Sequence, residues 1–311
     1  MLQLPPELLS QVFCSLPIAD LPAVARVTTT LYPIALRSLY RSLSIADASG
    51  HAILSVLVQK PEVAAFVRKF SLADVVLCPH QLKAALANMK ALTSLDLFVD
   101  GIESWILPSG LVSPQLRHFG TSMPYDDRVA AFCAGAQHLE TIHLASIEFS
   151  GSVDAHAFPR MSTFTGSAAA AIALVPGRPV ESIFITSGDL SEDLVPFLAK
   201  SSANVAILSA QTNSIPLLVL HALGRHLSQN LAYLQLNSTR GFPAPPTTMF
   251  YEEVSDALAL FPSLRSFELS GMYWPSQVHR DDKRAWQSQP LPAHDLVPEL
   301  EIESDDFILS W

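Results

Sequence analysis

Leu92 to Leu97, Leu-Thr-Ser-Leu-Asp-Leu, sets apolar residues at positions 1, 4 and 6 around three polar ones. With any apolar residue allowed there, the frame returns at Leu139/Ile142/Leu144, Val180/Ile183/Ile185, Leu231/Leu234/Leu236 and Leu264/Phe267/Leu269. Further copies at Tyr40/Leu43/Ile45, Val67/Phe70/Leu72, Leu116/Phe119/Thr121, Met161/Phe164/Gly166, Val205/Leu208/Ala210 and Val297/Leu300/Ile302 leave 19 to 33 residues between successive starts. Positions 4 and 6 of a strand face one side, so they share a core while the residue between them faces out. Each copy buries three apolar side chains, worth roughly 1.5 to 3 kcal/mol apiece before ordering entropy, so a single copy cannot fold and a stack can. The copies ending in Thr121, Gly166 and Ala210 are weak, which predicts an irregular stack.

Between frames the apolar spacing turns helical: Leu82, Leu86 and Met89 within 81–89, Val129, Phe132 and Cys133 within 126–136, and Leu194, Phe197 and Leu198 after a capping Ser191. Residues 215–227 and 250–260 read the same way, whereas 146–159 and 167–179 read as loops or single turns. Most frame intervals lie in or near the roughly 20 to 29 residues of leucine-rich repeats. The expected fold is α/β, with a leucine-rich-repeat-like solenoid over 44–311, parallel strands on its concave face and helices and loops outside. Two polar, proline-rich or aromatic inserts lengthen the last intervals: 239–248, holding Phe242, and 272–295, holding Trp274 and Trp286. Long loops on a rigid scaffold often bind partners, which makes these three residues candidate contacts.

Residues 1–43 predict three short helices. Pro5 and Pro6 suit a first helical turn, Leu8, Val12 and Leu16 form an i, i+4, i+8 stripe, and Pro17 stops the helix. Asp20 can cap a second helix containing Leu21 and Val24, and a third runs from about Thr28 to Tyr40 with Pro33 early in it. The run Leu-Pro-Pro-Glu-Leu-Leu-x-x-Val-Phe-x-x-Leu, followed by Asp20-Leu21 and Val24 to Val27, resembles the F-box, the module that docks F-box proteins onto the Skp adaptor of cullin-RING ubiquitin ligases. That resemblance implies an adaptor-facing set of Leu4, Pro5, Glu7, Leu8, Val12, Phe13, Leu16, Leu21, Val24 and Val27. Where the family commonly carries Cys or Ser, basic residues and then Trp, this chain has Thr28-Thr29-Thr30-Leu31-Tyr32, with Tyr32 keeping the aromatic. Leu39 to Leu43 resembles the exit from the F-box in many fungal F-box proteins, where a leucine-rich-repeat-like region follows.

Composition narrows the chemistry. A formal charge of −10, with Lys and Arg scattered, argues against nucleic acid, which needs a cationic face. Hydrophobic residues make up 49% of the chain, yet no apolar run approaches the roughly 18 residues of a membrane span. The first residues lack a basic region followed by an apolar core, so no secretory signal is expected, and an intracellular location, cytoplasmic or nuclear, follows. Cys14, Cys78 and Cys133 fit neither a disulfide framework nor a zinc spacing and are expected to be small buried apolar residues.

No hydrolase, metalloprotease or nucleotide-loop motif occurs, and the 12 glycines are scattered, so neither catalysis nor a cofactor is expected. His118 and His143 fall on the same predicted face in adjacent copies without an evident third ligand, so no metal is expected. The outward position of each frame reads Ser44, Ser71, Asp96, Gly120, His143, Thr165, Phe184, Ser209, Gln235, Glu268 and Glu301. Such a row is the usual contact surface of a solenoid, and Asp96, His118, His143, Thr165, Phe184, Tyr233, Gln235 and Glu268 are its candidate target-binding residues. The alternating Glu299, Glu301 and Glu303 would discourage edge pairing of a last strand. Two functions fit: a non-catalytic substrate receptor, monomeric outside its ligase complex, that carries the Skp adaptor and an unidentified target; or a scaffolding repeat protein whose N-terminal helices only cap the array.

Overall fold

Proline opens helix after helix in this chain. In a computed structural model describing residues 5–46, 50–73, 78–108, 114–154, 156–239, 247–278, 284–287 and 290–292, it occupies the first or second position of α1 (Pro6–Cys14), α2 (Leu21–Ala25) and α3 (Tyr32–Tyr40). An amide is dispensable there and the fixed φ suits a helix. A 3-10 turn at Ile18–Asp20 runs directly into α2, so Asp20 is itself helical and its side chain makes no cap, contrary to expectation. The core of this helical module is Phe13, Leu21 and Ala35, with Leu16, Val24, Leu31 and Ile34 packed on it.

The chain divides into two compact units, residues 1–188 with 196–205, and residues 189–195 with 206–311. In the first, the module leads into β1 (Ser42–Ile45), α4 (Gly50–Gln59), α5 (Pro61–Ala64), β2 (Lys69–Ala73), α6 (Pro79–Asn88) and β3 (Ser94–Phe98). Then come β4 (His118–Thr121), α7 (Asp127–Ala134), β5 (Thr141–Leu144), β6 (Thr163–Ser167), α8 (Ala168–Leu174) and β7 (Ser182–Ser187). Each strand pairs in parallel with the next, making a large parallel sheet in sequence order. At its head the amides of Arg68 and Lys69 both donate to the Arg41 carbonyl, and those of Thr93 and Ser94 to the Arg68 carbonyl. Those of Arg117 and His118 then donate to the Thr93 carbonyl, so the same link joins each copy to the one before it.

The frame residues supply the core: Phe70, Leu72, Leu95, Leu97, Phe119, Ile142 and Phe164 are all buried. The copies ending in Thr121, Gly166 and Ala210 form strands as well. Thr121 is buried, and its hydroxyl accepts the Met123 amide at 3.0 Å. Residues 168–174, expected as loop, form α8, because the Ser167 hydroxyl accepts the Ala170 amide and an alanine-rich run follows. Cys133 is buried as expected, but Cys14 and Cys78 are exposed.

The Asp126 carboxylate caps α7, accepting the amides of Arg128 and Val129 at 3.0 and 2.9 Å and the Ser104 hydroxyl. Burial alone would raise its pKa; the Ser104 and amide bonds and the Arg128 charge outweigh burial and hold it below the usual carboxylate range. A depressed folded pKa stabilises above the unfolded value and is lost as pH falls through the folded one. Asp126→Ala should therefore cost about 1 to 2 kcal/mol in urea unfolding at pH 7, with the gap to the parent narrowing below about pH 4. A gap that does not change with pH would contradict this account.

In sequence, α9 (Val195–Leu198) lies at the boundary. The second unit holds β8 (Ile207–Thr212), α10 (Pro216–His226), β9 (Tyr233–Ser238), α11 (Thr248–Leu258), β10 (Ser266–Leu269) and β11 (Met272–Trp274). Strands β8, β9 and β10 are parallel, and β11 turns back antiparallel on β10 through Ser270 and Gly271, both at positive φ. β12 (Ser276–Val278) pairs antiparallel with β13 (Arg284–Trp286), and β14 (Leu291–Pro292) with β11. The expected loop at 272–295 is thus strand wherever it is described, apart from single linking residues. Residues 240–246, the frame at 297 and the acidic end of the chain lie outside the described residues.

Candidate functional site

Three surfaces carry the residues that sequence singled out. The first is on the helical module. Leu8 and Val12, one turn apart on α1, are exposed, as are Val27 at 68% and Tyr32 at 50%, with Pro5 and Glu7 also on the surface. Ile18, which sequence did not single out, is 64% exposed. Phe13 and Leu21 correct the expected set, since both turn inward to form the module's own core and cannot meet a partner. Leu16 and Val24 are half-buried against that core, and Leu4 lies outside the described residues. On its inner side the module is joined to the sheet by the Arg41 carbonyl and by the Arg37 guanidinium, 5.3 Å from the Phe66 ring centre.

The second surface is the outer face of the first unit's sheet. Strand register sets Ser44, Ser71, Asp96, Gly120, His143, Thr165 and Phe184 side by side, as the frame implied. Asp96 Oδ1 lies 2.8 Å from His118 Nε2. The Phe98 ring packs on His143 with centres 4.7 Å apart. Gly120 makes this cluster possible, because a Cβ there would sit 2.2 Å from Asp96 Oδ1 and 2.7 Å from the Phe98 ring. Burial lowers the His143 pKa, Asp96 opposes that and His118 adds to it, which favours the neutral ring. An Asp–His pair activates a hydroxyl only when one is aligned on the imidazole. Here Ser94 Oγ lies on the carboxylate side, 3.5 Å from Asp96 Oδ2. Among the described residues no group of three His, Cys, Asp or Glu could hold a metal ion.

The third surface belongs to the second unit. The Ser209 hydroxyl donates to Gln235 Oε1 at 2.8 Å, and Gln235 Nε2 donates to Glu268 Oε2 at 3.2 Å. Tyr233, 46% exposed, pairs with Ser266, and Tyr273 pairs directly with Glu268. Sequence missed Tyr273 because 272–295 carries no frame; the only signal was the Met-Tyr-Trp run after a Ser-Gly turn. Of the three candidate loop aromatics, Trp274 is corrected outright: it is fully buried, packed on Phe267 and Tyr251. Trp286 is half-buried in β13, its carbonyl accepting the Ser255 hydroxyl, and Phe242 lies outside the described residues.

Residues 1–46 match the family model described as F-box-like. Compared with curated proteins, the chain finds no match. The helical module is thus an F-box-like domain joined to a large parallel sheet. Domains of this kind generally bind the Skp adaptor within Skp–cullin–F-box ligases, which suggests a substrate-adaptor role in general. No helix among the described residues is long and apolar enough to cross a membrane.

Proposed function

We propose that this chain is a non-catalytic substrate receptor of a Skp–cullin–F-box ubiquitin ligase, working in the cytoplasm or nucleus. Its F-box-like helices take the adaptor, and a leucine-rich-repeat-like solenoid presents the target on its polar sheet face. The observation that carries the reading is the exposed apolar set Leu8, Val12, Ile18, Val27 and Tyr32 on a module matched as F-box-like. A domain of about forty residues has little apolar side chain to leave outside its own core, and uncovered patches of this kind mark interaction surfaces. The direct join through Arg41 and Arg37 holds the two parts in a fixed geometry, which suits presentation of a bound target.

The same join favours a second reading, in which the helices only cap the sheet of a scaffolding protein. Leu8→Asp with Val12→Asp separates the two. Both positions are about half exposed, so the receptor reading expects an unchanged melting temperature and at least a hundredfold loss of affinity for purified Skp adaptor. Full binding by the double variant, or collapse of the whole fold, would favour the cap.

A further inference from the structure

The second unit's sheet face contains an anion with no cation. Outward strand positions 207, 209, 211, 233, 235, 237, 266, 268 and 273 hold no Lys or Arg. Among the described residues Glu268 enters no ion pair. Its carboxylate is nevertheless held in place. The Ser209 bond to Gln235 Oε1 fixes the orientation of that amide, which turns its NH₂ toward Glu268 Oε2. The other oxygen, Oε1, receives no donor among the described residues. Two tyrosines hold neighbouring register positions on the same face: Tyr273 directly across the strand pair from Glu268, and Tyr233 diagonally, by way of its pairing with Ser266.

A positioned carboxylate with tyrosines at neighbouring strand positions is complementary to a guanidinium or ammonium group, which can take a charge-assisted hydrogen bond from the one and cation–π attraction from the others. The formal charge of −10 adds long-range attraction for a basic partner. We propose that Glu268, with Tyr233, Tyr273 and Gln235, receives an Arg or Lys side chain of the target, so that the recognised segment is basic. This rests on the reading of the sheet face as the target surface, and it is independent of adaptor docking.

The test uses the full-length protein and a fluorescent peptide of alternating Arg and Gly, with a second peptide carrying citrulline, the uncharged isostere, in place of each Arg. Fluorescence anisotropy should show the Arg peptide binding at least tenfold more tightly than the citrulline peptide. Glu268→Gln keeps the side-chain shape and a hydrogen-bond acceptor for Gln235, and it should remove most of that preference. Tyr233→Leu should weaken the Arg peptide by about two- to fivefold. Glu252→Gln, on the exposed side of α11, changes the net charge equally and should leave binding intact. Equal affinity for the two peptides overturns the proposal, as does equal weakening by Glu252→Gln and Glu268→Gln. No adaptor is present in the assay, so failure of adaptor docking cannot produce either result.

Discussion

Arg178→Met should destabilise the first unit by about 3 kcal/mol or more, read as a lower urea midpoint with an unchanged slope. Arg178 is only 4% exposed and has no carboxylate ion-pair partner among the described residues, yet all three guanidinium nitrogens donate to backbone carbonyls. Nη2 donates to the Asp154 carbonyl at 2.8 Å and Nε to that of Ala157 at 2.9 Å. Nη1 meets the carbonyls of Ala173, Leu174 and Pro176 at 3.1 to 3.3 Å. The side chain therefore ties a loop to the end of α8, where helix carbonyls lack amide partners and a cation is favoured. Burial pulls the guanidinium pKa down, and Tyr125 and Asp154 oppose it. Methionine fills similar space but strands several buried carbonyls. Arg178→Lys tests whether the fork or the charge matters, because an ammonium keeps the charge and cannot reach both groups of carbonyls. It should lose somewhat less than Arg178→Met; a loss under about 1 kcal/mol would show that the loop relaxes to water without cost.

Trp274→Ala should cost the second unit about 3 to 5 kcal/mol. The ring is fully buried between Phe267 and Tyr251, where it closes the apolar side of β10 and β11. Its Nε1 has no hydrogen-bond partner among the described residues, so Trp274→Phe should retain most of the stability, because shedding an unsatisfied donor offsets part of the cost of the lost volume. The melting transition of both variants reads this directly. A partner-contact residue behaves the opposite way, leaving stability unchanged when truncated, and an unaltered transition for Trp274→Ala would restore it to that role.

The contrast between these residues shows what could be read in advance. The outward row from Ser44 to Phe184 was legible because side chains alternate along a strand and each copy repeats the same register. Frame position alone put His118 and His143 on one face. It could not show that Gly120 leaves the notch in which Asp96 leans against His118 and Phe98 against His143, because that depends on side chains 22 and 24 residues from Gly120 in sequence. Arg178 drew no attention, since its partners are backbone carbonyls and carry no residue-specific signal.

Periodicity determined the most in this chain. The apolar frame pointed to the parallel strands, their sequence order within each unit and their buried face, because side chains alternate along a strand and each copy repeats the same alternation. The Leu-Pro-Pro-Glu opening and the spacing to Asp20-Leu21 pointed to the F-box-like domain that the family match places at residues 1–46. Only the tertiary structure decided which apolar residues of that domain face out, since Phe13 and Val12 are neighbours on one helix and their fates depend on where α2 and α3 pack. It also decided that Trp274 is core, because a single antiparallel strand after the last frame repeats nothing and leaves no period to read.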